Sequence, residues 1–352
     1  MKKKVTFASA INQAIHLAMA KDPQTVCFGL GVDDPKRIFG TTTGLVESFG
    51  SARVFDTPTS ENAMTGIGIG ASLNGIRPIM IHQRLDFFLL AMDQVVNSAA
   101  KWFYMFGRQQ SVPITIRLII GHGWGQGPTH CQNLQSWFAH IPGLKVVMPA
   151  TTKDAKGLLL ASIFDENPVI FLEHRWLHNI EDEIEEDYFE IPLGKANLLR
   201  EGKDITIVSY SYMTVEAIHA ANLLEKYGIH CEIVDLRTIR PLDWETVFAS
   251  VKKTGRLLAL DSSSPFASIS SEIVSRVCLE QFTSLIAAPI RISQPDFASP
   301  ASFGLTKKYY RGAREIVSEI AILFNKSIAE ADLQALEKTP HDVPGDWFKG
   351  PF

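Results

Sequence analysis

One carboxylate draws attention because of what surrounds it. In FDTPTSENAMTGIGIGASLNG, residues 55–75, Glu61 and Asp56 are the only charges among small, apolar and neutral polar residues. Glu61 follows Thr59 and Ser60 at the expected start of a helix, where an acid suits the helix dipole. Either it caps that helix, or a carboxyl group is needed in an otherwise dry place. A second candidate is the glycine-rich loop GHGWGQGPTHC, residues 121–131, which carries Trp124 and His130 after a strand-like run. Ligands of parallel sheets gather at the carboxyl ends of strands, so a histidine there is a site candidate. It could equally be an ordinary loop histidine. GLGVDD (29–34) lacks the third glycine of a dinucleotide fingerprint and runs into Pro35, which argues against a nucleotide site. No GxxxxGK[ST], HExxH or GxSxG occurs, which removes the commonest phosphate-loop, zincin and serine-hydrolase readings. Cys27, Cys131, Cys231 and Cys278 form no CxxC pair, as expected for reduced thiols in a cytoplasmic protein without structural zinc.

The elements that must position these residues alternate along the chain. Strand-like runs at 25–30, 77–82, 113–120, 144–149 and 167–173 are separated by helical patterns at 6–20, 60–74, 86–107, 132–140 and 152–164. The acidic stretch HNIEDEIEEDYFEI, 178–191, reads as a solvated linker. After it, strands at 204–211, 229–236, 255–261 and 288–293 alternate with further helices. The fold class expected is α/β, with two doubly wound, mainly parallel-sheet domains at 1–177 and 200–328. Residues 178–199 join them, and 329–352 form a tail whose Trp347, Phe348 and Phe352 are candidate anchors on a surface.

Lys and Arg number 34 against 38 Asp and Glu, a balance that supports neither a nucleic-acid nor a membrane-surface partner. The N-terminal lysines precede helical spacing rather than a continuous apolar run, so no signal peptide is expected, and no apolar run is long enough to span a membrane. In DFFLLAMDQVVNSAAKWFYMFG, 86–107, the polar Asp86, Asp93, Gln94, Asn97 and Lys101 share one stripe, and most of the remaining circumference is apolar. A surface helix needs a far narrower apolar face. This one is either central to a large domain or part of a subunit interface.

Several of these segments together carry a resemblance. RVFDTPTSE, GIRPIM with LDFFLLAMDQVVNSAAKW, THCQNLQSWFAHIPGLKVVMPATTKDAKGLL, NPVIFLEH, ITIVSYSYMTVEAIHAANLLEKYGIHCEIVDLRTIRPLD and KTGRLLALD resemble the β subunit of thiamine-diphosphate-dependent 2-oxo acid dehydrogenase E1 components, of pyruvate and branched-chain type. The resemblance runs from about residue 4 to 325. It implies a pyrimidine-binding transketolase-like domain, a transketolase C-terminal-like domain and an α2β2 heterotetramer. In that family the α-type subunit carries a GDG motif that holds Mg²⁺ and the diphosphate. No GDG occurs in this chain, so it should supply the aminopyrimidine half of each site.

That family context gives Glu61 a task. A carboxyl group donating to N1′ of the aminopyrimidine favours the 4′-imino tautomer, a well-placed internal base. A buried, lightly solvated carboxyl group holds its proton more tightly than one in water. TPTSE here matches the family's TPISE or TPLCE at the acid. Phe87 matches the aromatic packed on the pyrimidine, Thr59 falls where Ile or Leu touches it, and His130 (HCQ for HSQ) matches the active-site histidine that handles the substrate carboxylate or the later acyl transfer. The resemblance also implies a structural K⁺ near Thr115, Asp165 and Asn167. Two departures stand out. QRLDF replaces QFADF or QFADY, placing Arg84 beside the expected ring contact, where it binds a carboxylate or phosphate, or faces solvent or the α chain. Trp124 adds bulk near the substrate entrance. The implied activity is decarboxylation of a small 2-oxo acid with acyl transfer to a lipoyl-bearing E2. The alternatives are a carboligase that passes a two-carbon unit to an aldehyde or keto sugar, and the C-terminal half of a split transketolase.

Overall fold

The computed structural model describes residues 2–337 and 340–345. The tail aromatics Trp347, Phe348 and Phe352 lie outside the described residues. In chain order the strands are β1 (Lys2–Thr6), β2 (Thr25–Gly29), β3 (Val54–Asp56), β4 (Arg77–His82), β5 (Thr115–Ile120), β6 (Lys145–Val147), β7 (Val169–His174), β8 (Glu181–Glu185), β9 (Asn197–Arg200), β10 (Ile205–Ser209), β11 (Cys231–Asp235), β12 (Thr238–Arg240), β13 (Leu257–Leu260) and β14 (Ile290–Ile292). The chain divides into two compact units. The first contains 1–121, 137–193 and 239–241; the second contains 122–136, 194–238 and 242–352.

The first unit is built on a seven-stranded sheet in the order β12-β6-β7-β5-β4-β2-β3. Its inner pairs are parallel, with Cys27 opposite Ile79, Ile79 opposite Thr115 and Thr115 opposite Val169. β5 and β7 are buried along their whole length, which is why they read as apolar runs without alternation. Helix Phe7–Lys21 buries Phe7, Ala10, Ile11, Ala14, Ile15, Ala18 and Met19, one face at helical spacing, and Thr6 caps it by accepting from the Ser9 amide at 3.1 Å. It packs on helix Thr152–Ile163, which Thr151 caps through the Asp154 amide. Each fully buried Ile, Met or Phe on such faces contributes roughly 1.5–3 kcal/mol.

The acidic stretch is more than a linker. Glu181–Glu185 forms β8, antiparallel to β1, with Lys4 opposite Glu183 and Lys2 opposite Glu185. Val5 and Ile184 are buried, while the lysines and most of the acids stay exposed. The N-terminal lysines thus meet the charge run of opposite sign. Lys156 fixes the next residues, donating to the carbonyls of Glu185 and Glu186 at 2.7 Å each.

The apolar run expected as one helix over 86–107 is helical but not uniform. It contains a π-helical segment at Gln94–Ala99 before helix Ala100–Met105. Phe88, Ala91, Val95, Ala99 and Ala100 are buried, whereas Leu90, Tyr104, Met105 and Phe106 are exposed. Within this chain it is covered on one side only.

The second unit has a five-stranded sheet in the order β14-β13-β10-β11-β9, with β9 antiparallel at one edge. Helices Tyr212–Lys226 and Ala313–Leu323 pack on one another, and their apolar residues form one core with Ile205, Ile207, Ile233, Leu258 and Leu260. No helix among the described residues is long and apolar enough to cross a membrane.

Candidate active site

Glu61 is the first residue of helix Glu61–Leu73, in the first unit. The helix buries Glu61, Met64, Thr65, Gly68, Ile69 and Ser72, so position 61 belongs to its inward face. Glu61 is 7% exposed, yet among the described residues its carboxyl group has no hydrogen bond or ion pair, and its oxygens are not sealed from solvent. Ser60 makes no side-chain cap, and Thr65 Oγ1 donates to the Glu61 carbonyl at 2.7 Å. The carboxyl group is therefore not used as an intrachain cap. A lightly solvated carboxyl without an intrachain partner fits a ligand atom that shares its proton.

Asn62, the next residue, connects this helix start to the run that carries Phe87. Its Nδ2 donates to the Leu90 carbonyl at 3.5 Å, and Gln94 Nε2 donates to its Oδ1 at 3.3 Å. A Cβ on Gly66 would lie 3.3 Å from Gln94 Oε1, so the glycine permits this approach. Phe87 is 43% exposed, and Thr59 is exposed as well. Thr59 lies just before helix Glu61–Leu73, Phe87 lies in the short helix Leu85–Phe88, and helix Glu61–Leu73 contacts the turn Leu89–Ala91 that follows it.

Arg84 is neither at a solvent-facing mouth nor on the surface. It is 7% exposed, in a buried polar cluster beyond the carboxyl ends of β4 and β7. Arg117 and Glu173 form a fully buried ion pair there at 2.6 Å. The Arg175 guanidinium lies 4.4 Å over the Phe39 ring. Burial, and then the neighbouring Arg84, pull the Arg175 pKa down to about 10. Burial also lowers His82 to about 3, with its ring 4.7 Å from Phe88. Burial holds His178 well below the ordinary histidine range, with Arg175 adding to the effect. The sequence reading passed over Arg117, Glu173 and Arg175. Their signal was a charge inside the otherwise apolar runs TIRLII and VIFLEHRW.

The K⁺ expectation falls on a turn already held by cations. Arg77 donates to the carbonyls of Ile163 (3.0 Å) and Asp165 (3.1 Å), and Lys145 pairs with the Asp165 carboxylate. Thr115 Oγ1 donates to the Ser162 carbonyl at 2.9 Å, and the Asn167 amide donates to Asp165 Oδ1 at 2.8 Å.

The first unit also has a cavity of about 310 Å³ between helix Glu61–Leu73 and strands β2 and β3, lined by Phe28, Phe55, Met64, Ile67 and Pro78 among others. None of the candidate site residues lines it.

Trp124 and His130 belong to the second unit. Their loop takes left-handed backbone at Gly123 (φ 110°), Trp124 (φ 47°), Gly125 (φ 67°) and Gly127 (φ 67°). Trp124 is the one non-glycine among them, and that conformation is uncommon for a bulky residue. A Cβ at Gly125 would meet the Ala301 carbonyl at 3.1 Å, and one at Gly127 would meet Ala301 Cβ at 3.2 Å. His122 stacks on Tyr310 with centroids 4.1 Å apart. Thr129 Oγ1 lies 3.0 Å from His130 Nδ1, fixing one ring nitrogen of that imidazole. After the loop, Gln135 donates to Asp261 at 2.9 Å, tying the segment to β13.

The fold is that of a transketolase-type chain. Residues 3–179 match the model for the transketolase pyrimidine-binding domain, and residues 194–316 match that for the transketolase C-terminal domain. The chain is 42% identical over 328 residues to the β subunit of acetoin:2,6-dichlorophenolindophenol oxidoreductase from Cupriavidus necator, covering 90% of this chain and 97% of that one. It is 41% identical to the pyruvate dehydrogenase E1 component subunit beta of Rhizobium meliloti, covering 90% of this chain and 69% of that one. The Bacillus subtilis acetoin:2,6-dichlorophenolindophenol oxidoreductase β subunit is 40% identical, with 90% and 96% covered. A solved split-gene transketolase, an inactive β4 tetramer, shares the fold at TM-score 0.74 and 21% identity, over 91% of this chain and 98% of that one. The chain belongs to the family of thiamine-diphosphate-dependent E1 β subunits that includes those of pyruvate and acetoin dehydrogenases. As a β-type subunit it works with an α-type partner.

Proposed function

We propose that this chain is the half of a 2-oxo acid decarboxylating enzyme that activates the aminopyrimidine, with Glu61 holding a proton at N1′. The observation that carries the proposal is the Glu61 carboxyl group, nearly buried and without a partner among the described residues. Bound thiamine diphosphate supplies the carbon nucleophile that lets a 2-oxo acid lose CO₂. Phe87 offers an exposed ring face to pack on the pyrimidine, and Thr59 lines its edge. His130, oriented through Thr129, handles the substrate carboxylate or a proton of the later group transfer.

An α-type partner with a GDG motif supplies the diphosphate and Mg²⁺ contacts in an α2β2 assembly, and a lipoyl-bearing E2 accepts the acyl group. The exposed Leu90, Tyr104, Met105 and Phe106 suit a subunit interface. The pyrimidine-binding part spans 1–177 and the C-terminal part 200–328. The buried cysteines fit a cytoplasmic setting.

Binding separates this reading from its rivals. The chain alone should bind thiamine diphosphate poorly, and the α/β pair tightly and with dependence on Mg²⁺. Tight binding by the isolated chain would contradict the split site. A pair that joins pyruvate to an aldehyde or ketone, yet never acylates a lipoyl domain, would assign the carboligase activity instead.

A further inference from the structure

The loop that carries Trp124 and His130 is gripped by a segment far away in sequence. Asp342 Oδ2 accepts a hydrogen bond from the Trp124 amide at 3.0 Å. Asp342 is 4% exposed, and Val343 and Pro344 are buried beside it. These three consecutive buried residues lie outside any helix or strand, so specific contacts must hold them. His341 supplies an anchor on the other side. Its Nε2 lies 2.9 Å from Thr306 Oγ1, and its ring is 4.1 Å from that of Phe303. Thr306 and Phe303 belong to the short helix Phe303–Thr306, just after Ala301, which walls Gly125 and Gly127. Tyr310 completes the grip through a backbone hydrogen bond with Gly123 and its stack on His122.

The amide that Asp342 accepts from is that of the strained residue, Trp124 at φ 47°. A left-handed conformation at a bulky residue persists only where its surroundings enforce it. Asp342 also lies beyond residue 316, where the match to the transketolase C-terminal domain ends.

We propose that His341–Pro344 forms a built-in clamp on the glycine-rich loop, with Asp342 as a positioning residue that holds Trp124, and through the loop His130, in working geometry. The clamp is a matter of this chain's own contacts. Only its effect on turnover rests on the role proposed above for His130.

Hydrogen exchange on the chain assembled with its α-type partner tests it, together with steady-state kinetics. In Asp342→Ala, exchange of the amides from Gly123 to His130 should rise about tenfold, the consequence of one lost charge-assisted hydrogen bond. The kcat should fall several-fold with little change in KM. Asp342→Asn, which keeps an oxygen acceptor, should stay close to the parent in both. A chain ending at Glu337 should reproduce Asp342→Ala, and it stands in for that variant should the point substitution misfold. Parent-like exchange in the loop of both the Asp342→Ala and the truncated chains overturns the clamp. So does an Asp342→Asn loop as loose as that of Asp342→Ala; a loosened loop with unchanged kcat upholds the clamp and overturns the positioning of His130 through it. Glu61→Gln is the control that keeps the outcomes apart: it should abolish turnover and leave loop exchange untouched. If it does not abolish turnover, the catalytic reading fails while the exchange result still judges the clamp.

Discussion

Replacing Glu61 by glutamine should stop turnover without disturbing the fold. The side chain keeps its length and nearly its volume, and position 61 remains the first residue of its helix. Among the described residues no donor or counter-ion contacts the Glu61 carboxyl group, so the variant breaks no intrachain bond. The residual cost is a weakened charge–dipole contact at the helix start, about 0.3–1 kcal/mol. The chemical cost is of another size. A glutamine amide can donate a hydrogen bond but cannot give and retake a proton, and acid–base catalysis of this kind is worth roughly 10²–10⁴-fold in rate. The measurement is decarboxylation of a 2-oxo acid by the assembled α/β protein, beside its thermal unfolding and its affinity for thiamine diphosphate. The expected outcome is kcat down at least about a hundredfold, with assembly intact and the unfolding midpoint within a few degrees. Turnover above a tenth of the parent rate would refute the reasoning. A collapse in stability would refute it too, because it would mean that Glu61 is structural.

Two further predictions concern the buried polar cluster of the first unit. His82 has its folded-state pKa lowered to about 3 by burial, so the unfolded chain binds the extra proton first as pH falls. Its stabilising contribution is complete above the unfolded value near 6.5 and is lost as pH drops toward the folded value. At pH 4.5 this loss amounts to about 2–3 kcal/mol. Chemical denaturation at pH 7 and pH 4.5 should show it, and His82→Phe should flatten the difference by about that amount. An unchanged pH slope in the variant assigns acid sensitivity elsewhere. Glu173 is the carboxylate that pairs with the buried Arg117 and feels the charge of Arg175, so Glu173→Gln leaves buried positive charge less compensated and should cost about 3–5 kcal/mol in denaturant titrations. A loss below 1 kcal/mol would show that water or another group already screens those guanidinium groups.

The alternation of strands and helices was readable because each element buries a face with its own period. Strands β5 and β7 had to be continuous apolar runs, and helix Phe7–Lys21 had to repeat at 3.6 residues. Local pattern says nothing about pairing between distant segments. The lysines of β1 and the acids of β8 looked like two unrelated charge runs, because neither run contains the other's register. The segment 86–107 was recognisable as helical, but its π-helical stretch was not, since a register defect leaves composition unchanged. For the site, local evidence left Glu61 undecided between cap and catalyst. What only coordinates reveal is that no group among the described residues bonds its carboxyl oxygens. Arg84 stands out as a departure, but its burial and its electrostatic coupling to Arg175, about ninety residues on, are properties of the folded chain. Asp342 had no signal at all: one acid in a Pro- and Gly-rich tail resembles any other until the Trp124 amide is seen opposite it.

The β1–β8 ribbon sets a schedule for synthesis. Lys2–Thr6 leaves the ribosome well before its partner strand, which ends at Glu185. Until that point is translated, the edge of β1 has no native neighbour, and helix Phe7–Lys21 lacks the carbonyls of His178 and Ile180 that its first amides bond. Closing the ribbon is therefore a late step for the first unit, followed by the addition of β12 to its sheet, and until then the nascent chain carries an unpaired strand edge.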